Sequence, residues 1–228
     1  MDSTVKEISK LEFFQDVDEK TINEILSKSE IKKYNSRHML FYDKEPVNII
    51  YFIISGAVSL YKMNENGQKK VIFILDRGKI INDVIIKELP ASINCEVAMD
   101  AEILGIEKNE LLKIMEHDFQ LCKNIIFSLS MKTRRMYRQL KNTPSSVKIE
   151  KRLAAKIYKL GRDYGIKHDL GTMINMDFTI TYIADLLGSP RETVSRAMKV
   201  LQEKELIIYK DKRIIIPKLD ELSIFFKR

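Results

Sequence analysis

Residues 188–201 offer charged side chains at a spacing that suits the edges of nucleic-acid bases. Read as an α-helix, at about 100° per residue, one face has the i, i+3, i+4, i+7 pattern of a buried stripe. This stripe comprises Val194, Ala197, Met198 and Leu201. A second sector is polar and comprises Arg191, Glu192, Ser195 and Arg196, with Lys199 beside them. Arginine can donate two hydrogen bonds to guanine, and a carboxylate can accept one from cytosine. The pattern predicts a helix that reads base edges in the major groove of double-stranded DNA.

A structural interpretation of the same residues also stands. The run from Ser189 to Glu192 fits a capping box, with Ser189 at the N-cap position, Pro190 at N1 and Glu192 at N3. Exposed arginines are also common on helices that contact only water. The choice between the two interpretations depends on the flanking sequence.

The flanking segments favour the reading of DNA. Residues 179–188 predict a short helix that Thr179 caps and Gly188 ends. Its buried residues are Ile183, Leu186 and Leu187. A short helix, a tight turn with glycine and a second helix make a helix-turn-helix. Downstream, the apolar runs 206–209 and 214–216 flank residues 210–213 and predict a β-hairpin wing.

With these motifs the sequence resembles the Crp/Fnr family of transcription regulators. Residues 188–196 and the hairpin are similar to its winged helix, and residues 51–61, 65–68 and 76–78 resemble its cyclic-nucleotide-binding-like β-roll. The resemblance implies that Arg191, Glu192 and Arg196 read bases, that Ser195 assists, and that half-sites are of the TGTGA or TTGA kind. Contacts to the DNA backbone are expected from Ser189, Thr193, Lys199, Lys151 and Lys156.

The sensor region departs from the family's cyclic-nucleotide motif. In nucleotide-binding relatives, a Gly-Glu pair and then an Arg-Ser/Thr pair hold the ribose and the cyclic phosphate. Here Asn82 and Asp83 replace the first pair, and Ala91 replaces the arginine, so that only Ser92 is recognisable. A phosphate without its arginine loses a bidentate, charge-assisted contact. We expect an effector other than cyclic AMP or cyclic GMP, with Asn82, Asp83 and Ser92 as candidate pocket residues.

The two cysteines, Cys95 and Cys122, limit the choice of cofactor. They are too few for a four-cysteine iron–sulfur cluster, which is disfavoured. No CxxC or Cys-x-x-His spacing occurs, so we assign no metal site. A haem that senses nitric oxide or carbon monoxide stays open as an alternative within the family, with His38, His117, a cysteine or a methionine as ligand.

The net charge of +7 is unevenly distributed. Residues 1–141 contain 22 Lys/Arg and 21 Asp/Glu, whereas residues 142–228 contain 17 and 11. The basic block from Met131 to Arg162 predicts a surface that faces phosphates, although a solvated helix face would look the same. The sequence shows no secretory signal and no apolar run of membrane-spanning length, so we expect a cytoplasmic protein without membrane contact.

The fold that the resemblance implies is α+β, with an antiparallel, jelly-roll-like β-roll and a winged helix-turn-helix, and glycine and proline positions suggest where its segments begin and end. The predicted segments are a sensor domain (1–107), a dimerisation helix (108–141), a hinge (142–146) and a DNA-binding domain (147–228). The second segment has neither Gly nor Pro, and the hinge contains Pro144. In the last segment we expect a helix over 147–160, a loop over 161–171 and a strand over 172–178.

Apolar residues of the predicted dimerisation helix are spaced as an a/d heptad seam. The seam comprises Cys122, Ile126, Leu129, Thr133, Met136 and Leu140, and Leu121 and Ile125 form an adjacent strip for packing on the sensor domain. A helix buried in its own monomer would show a similar period. A homodimer is favoured because it places two reading helices on half-sites one helical turn apart.

Other classes of function are disfavoured. The sequence contains no GxSxG, P-loop, HExxH or GxGxxG motif, so we do not expect an enzyme. A ligand-binding regulatory subunit that does not bind DNA is the rival from another class, and the basic reading face argues against it. If the protein is an activator, RNA polymerase is a further partner.

Overall fold

The computed structural model describes residues 3–65, 67–82, 86–141 and 147–227. The chain divides into two units, the first formed by Met1–Lys62 and Ile72–Thr143, the second by Met63–Val71 and Pro144–Arg228. The hinge predicted at 142–146 lies outside the described residues. Within the described ranges, no helix has the length and hydropathy needed to cross a membrane.

The apolar, β-branched runs of the N-terminal half form a five-stranded sheet. Its strands are β1 (Ser29–Tyr34), β2 (Met39–Phe41), β3 (Ile49–Met63), β4 (Lys69–Asp76) and β5 (Asn94–Glu107). The order is β1-β5-β3-β4, with β2 also on β5, and β5 is antiparallel to β1, β2 and β3. The long strand β3 bends at Gly56, where φ is 81° and a Cβ atom would lie 2.2 Å from the Asp100 carbonyl oxygen, so only glycine fits.

Helices precede and follow these five strands along the chain. They are α1 (Ser3–Ile8), a 3₁₀ turn (Glu12–Phe14), α2 (Glu19–Ser27), α3 (Lys108–Met115) and α4 (Phe119–Lys141). The prediction of one helix over 108–141 is wrong, because the chain breaks between α3 and α4. The buried Asp118 is the physical reason: its carboxylate accepts a hydrogen bond from the Leu121 amide at 3.0 Å and caps a new helix.

Two apolar clusters make up the core of the first unit. One joins the N-terminal helices to the outer side chains of the sheet and to α4, whose Leu121 and Ile125 are buried in it as predicted. The other fills the inside of the β-roll with residues such as Phe41, Val58 and Phe73. Helix α4 is therefore held along its first turns by the core of the first unit.

The second unit has the helices and hairpins expected of a winged helix-turn-helix. Its elements are α5 (Ile149–Tyr164), β6 (Gly165–His168), β7 (Gly171–Ile174), α6 (Ile180–Leu187), α7 (Arg191–Glu203), β8 (Ile208–Lys210), β9 (Arg213–Ile216) and α8 (Leu219–Lys227). The four strands form an antiparallel sheet in the order β6-β7-β9-β8.

The boundaries predicted around Gly161 are wrong. Helix α5 starts two residues later than predicted and runs through Gly161 to Tyr164, and the predicted loop contains β6. Gly161 is buried in the helix, where a Cβ atom would lie 2.4 Å from Cδ1 of Ile216. It is thus a close-packing site rather than a helix end. The strand predicted over 172–178 ends at Ile174.

Candidate nucleic-acid interface

The turn between α6 and α7 has the predicted caps. The Thr179 hydroxyl oxygen accepts a hydrogen bond from the Tyr182 amide at 3.1 Å and starts α6. Gly188 ends it in the left-handed conformation, with φ 58° and ψ 46°. The Ser189 amide donates to the Ala184 carbonyl at 3.1 Å and the Gly188 amide to Asp185 at 3.4 Å. These two bonds form a Schellman motif, which fixes the direction in which the chain leaves the helix.

The predicted capping box at the start of α7 is wrong. Pro190 occupies the N-cap position, and no described side chain caps the helix there. The Ser189 amide, which Glu192 would have to reach, already donates to Ala184. Glu192 is therefore the second helical residue, with its side chain exposed, and a capping role does not account for it.

Helix α7 separates a packing face from a polar face, as the sequence predicts. The buried stripe of Val194, Ala197, Met198 and Leu201 is at most 1% exposed. Arg191, Glu192, Ser195, Arg196 and Lys199 are all exposed, and Thr193 is half-buried. Lys199 lies 3.9 Å from Glu203, one turn further along the helix. The arrangement presents two guanidinium groups and one carboxylate on the first turns of a helix whose other face is fixed in the core.

The hairpin β8–β9 is tied to the residues that enter α6. The Phe178 amide donates to the Lys212 carbonyl at 2.7 Å, and the Tyr209 hydroxyl donates to the Phe178 carbonyl at 2.8 Å. Burial raises the pKa of the Tyr209 hydroxyl above its ordinary value. Arg213 contacts Asp177 at 2.8 Å. These contacts join the wing to the beginning of the helix-turn-helix.

The basic block at 131–162 includes three cations that bind main-chain carbonyls, and for these three the predicted role of facing phosphates is corrected. Lys132 donates to the Ile81 and Asn82 carbonyls, each at 3.0 Å, and Arg135 lies over the Phe73 ring and donates to Ile74 at 3.4 Å. Arg152 donates to the Leu187 carbonyl at 2.7 Å. Sequence reasoning missed these roles, because a cation that bonds to main-chain carbonyls has the same sequence pattern as a solvated one.

Lys151 and Lys156 are half-buried on α5. Ser189, also half-buried, directs its hydroxyl to the Leu187 carbonyl at 3.4 Å.

The described candidate effector residues lie in different environments. The buried Asn82 side chain accepts from the Tyr51 amide at 2.8 Å and donates to the Ile49 carbonyl at 2.9 Å, so both ends of its amide bind the main chain of β3. Ser92 is exposed, and Asp83 lies outside the described residues. Ala91 is 8% exposed and belongs to the apolar cluster inside the β-roll.

The candidate haem ligands also differ in their exposure to solvent. His38 is exposed, with its ring tilted at 40° against that of Tyr34, and His117 is exposed. Cys95 is fully buried, and burial raises the pKa of its thiol far above the ordinary value. The half-buried Cys122 donates to the Met115 carbonyl at 3.3 Å. In the described part of the chain, no three His, Cys, Asp or Glu side chains form a group that could hold a metal ion.

Helix α4 exposes an apolar surface, but its centre differs from that of the predicted seam. Ile126 is 60% and Met136 48% exposed, and Thr133 is also exposed. Cys122 and Leu129 are half-buried, and Leu129 packs on the core of its own unit. The Leu140 side chain lies outside the described residues. Phe119 and Tyr137, which the heptad pattern did not include, are 73% and 67% exposed.

Comparison with known proteins finds a family match for the N-terminal part of the chain and another for the C-terminal part. The profile of the cyclic nucleotide-binding domain matches residues 31–118, and that of the Crp-like helix-turn-helix domain matches residues 151–224. The regulator ArcR of Staphylococcus epidermidis is 26% identical over 198 residues, which cover 82% of each chain. The cAMP-activated global regulator CRP of Salmonella typhimurium is 25% identical over 207 residues, 86% of this chain and 93% of that one.

Solved structures show the same fold. The global regulator CLP of Xanthomonas campestris superposes with a TM-score of 0.77 at 20% identity and covers 88% of this chain and all of that chain. FixK2 of Bradyrhizobium japonicum has a TM-score of 0.72 at 18% identity, with 86% and 96% covered.

These findings define a class, a DNA-binding transcription regulator that carries a cyclic-nucleotide-binding-like domain and a Crp-like helix-turn-helix. The chain belongs to the Crp/Fnr family.

Proposed function

We propose that the protein is a homodimeric regulator that recognises a palindromic operator by placing helix α7 of each subunit in the major groove. The exposed face of Arg191, Glu192, Ser195 and Arg196, opposite a fully buried stripe, is the observation that carries this proposal. Because the buried stripe fixes the rotation of the helix, the four polar side chains face outward together. That is the geometry that reading adjacent base pairs requires.

The chemistry of the four side chains fits half-sites of the TGTGA or TTGA kind. Arg191 and Arg196 can each grip guanine O6 and N7, Glu192 can accept from cytosine N4, and Ser195 can donate or accept beside them. Since the arginines are five residues apart, they reach different base pairs along the groove. We assign G·C recognition to the arginines and the complementary cytosine to Glu192.

Backbone contacts would come from the residues around this face. Lys199 is exposed further along α7, Thr193 and Ser189 are half-buried at its start, and Lys151 and Lys156 are half-buried on α5. The amides of the first turn of α7 have no side-chain cap among the described residues, so they are suited to bind a phosphate oxygen. These contacts set position and salt dependence, whereas the four base-facing residues set sequence preference.

A second copy of the chain is the occupant we assign to the exposed apolar face of α4. Ile126, Met136, Phe119 and Tyr137 are each about half exposed or more on this helix, and Thr133 lies among them. An apolar stripe of this kind is stabilised by burial against its symmetry mate. Because Leu129 packs on its own unit, we place the centre of the seam near Ile126 and Thr133.

The effector we propose is not a cyclic nucleotide. At the position of the phosphate arginine, Ala91 contributes to an apolar core, and the Asn82 amide is fully engaged by β3. Lys132 donates hydrogen bonds to the main-chain carbonyls of Ile81 and of Asn82 itself. These contacts support a sensor domain that couples α4 to the β-roll through its own side chains.

Selection of binding sites from a random DNA library by the purified protein tests the proposal. The expected result is a two-fold symmetric consensus, with TGTGA- or TTGA-like halves about 34–36 Å apart. A consensus without symmetry would contradict the dimer, and the absence of any enriched sequence would favour the rival regulatory subunit. If transcription from such a promoter rises with the protein present, RNA polymerase is the partner to examine next.

A further inference from the structure

Arg152 is a cation that donates a hydrogen bond directly to the end of α6. It lies on α5, half-buried, and its Nη2 atom donates to the carbonyl of Leu187 at 2.7 Å, in the part of the chain that the structure describes. Leu187 is the last residue of α6, and the left-handed Gly188 follows it. The guanidinium group therefore contacts the point where the chain turns toward α7.

The Leu187 carbonyl accepts its shorter hydrogen bond from Arg152. The final carbonyls of a helix lack partners within the helix. Here the Schellman bonds satisfy Ala184 and Asp185, while Leu187 receives Arg152 at 2.7 Å and the more distant Ser189 hydroxyl at 3.4 Å. A positive charge at a helix C-terminus also interacts favourably with the helix dipole. Arg152 thus supplies both a short hydrogen bond and a charge at the turn.

The other end of α6 is fixed independently. The Thr179 side chain caps it, and the preceding Phe178 is bonded through its main chain to the wing at Lys212 and Tyr209. With the wing at one end and Arg152 at the other, α6 has a defined position relative to α5. Since Arg191 follows Leu187 by only four residues, a displacement of the Leu187 carbonyl moves the start of the reading helix directly.

We propose that Arg152 is a positioning residue for base recognition. It orients α7 through its bond to the end of α6, and it does not contact a DNA phosphate. This inference rests on the proposed reading of DNA by α7. It contrasts with the role assigned to its neighbour Lys151 on the same helix, a phosphate contact. The two roles have different signatures, because a lost phosphate contact weakens binding to all sequences and reduces the salt dependence.

The test compares Arg152→Met, Arg152→Lys and Lys151→Ala with the wild type on the selected operator and on random DNA, over a range of salt concentrations. For Arg152→Met we expect operator affinity to fall about tenfold, as for loss of one charge-assisted bond, with random-DNA affinity and the salt slope unchanged. Arg152→Lys retains a charged donor and should recover part of the specificity. Lys151→Ala should weaken both DNAs alike and reduce the slope by about one.

Amide hydrogen exchange gives a readout without DNA. In Arg152→Met, the Ser189 amide should exchange faster, and the Tyr182 amide, at the capped start of α6, should be unaffected. A lowered salt slope with an unchanged specificity ratio would show a phosphate contact instead, and equal loss on both DNAs at an unchanged slope would show a purely structural role. If the wild type itself has no operator preference, the proposed function fails, and the role of Arg152 fails with it.

Discussion

On helix α7, exposure separates the residues that pack in the core from those that we propose to read bases. Arg196 is exposed although it adjoins the buried Ala197, so removing its side chain takes away a reading group without opening a cavity. Cys95, in contrast, is fully buried, with its side chain inside the β-roll. Each residue yields a prediction that follows from its environment.

Replacing Arg196 by alanine should cost about 1–3 kcal/mol of binding free energy on the operator and flatten the preference at one G·C pair in each half-site. The physical reason is the loss of a bidentate contact to guanine. Fluorescence anisotropy with operators altered at single positions measures both effects. Gln202→Ala, at an exposed position further along α7, serves as the control. If Arg196→Ala keeps the wild-type ratio of operator to random DNA, the assignment of the reading face is wrong.

The Cys95 thiol should resist alkylation in the folded protein. Burial raises its pKa well above the ordinary value, so the reactive thiolate is scarce at pH 8, and the side chain is inaccessible to reagent. Mass spectrometry after iodoacetamide treatment should find Cys122 modified before Cys95, and Cys95 modified only after unfolding. Equal rates at the two cysteines in the native protein would contradict this packing.

Among the elements, α4 shows how far sequence reasoning reaches. The heptad pattern lies on a helix that the structure contains, and Ile126 and Met136 are exposed on it, as the proposed seam requires. It could not reveal that Leu129 packs on its own unit, because a heptad pattern does not state which flank of a helix the adjacent core covers. The break at Asp118 was missed for a related reason. A single buried carboxylate starts α4 where neither glycine nor proline gives a signal.

The winged helix-turn-helix was predicted more fully, because its signals are local. Thr179, Gly188 and the apolar stripe of α7 each act within a few residues of themselves. The capping box failed because the Ser189 amide is used by the preceding helix, which is a competition between two local motifs. The roles of Arg152 and Lys132 depend on segments distant in sequence, so no pattern in the chain discloses them.

Ile126→Glu should convert the protein to monomers and greatly weaken binding to a palindrome, because it places unpaired charge in the proposed seam. Sedimentation velocity and footprinting of both half-sites measure the two effects. Met131→Glu, at a 43% exposed position on a flank of the same helix, should leave the dimer intact. A dimeric Ile126→Glu that still protects both half-sites would place the interface elsewhere. Substitutions at Leu129 would also perturb the core, so they discriminate less well.

At the scale of the whole molecule, the two proposed binding sites differ in how far their residues are available to a ligand. The reading face is open, whereas the residues at the expected effector site are bonded to the protein's own main chain. Lys132 and Arg135 join α4 to the β-roll, and Asn124 adds bonds to the carbonyls of Phe13 and Gln15. These contacts tie α4 to the sensor domain at three successive levels along the helix.

Millimolar cyclic AMP or cyclic GMP should therefore leave the melting temperature and the operator affinity unchanged. A ligand at roughly 100 times its Kd stabilises the folded state by about 2.7 kcal/mol, which differential scanning fluorimetry detects readily. The wild type and a Lys132→Met variant should both show no shift with either nucleotide. Stabilisation of the wild type would overturn our interpretation of the pocket, and stabilisation of the variant alone would show that Lys132 occupies a usable site.

The separation of faces on α7 has a consequence for engineering. Because Arg191, Glu192, Ser195 and Arg196 are exposed while the neighbouring Val194 and Ala197 are buried, we expect that the proposed operator code can be rewritten at four positions without repacking the domain. A library randomised there should yield variants with new target sequences and melting temperatures close to that of the parent. Changing the buried pair instead should lower stability before it alters the target. The stability of the domain and its DNA sequence preference should thus be separable by mutation.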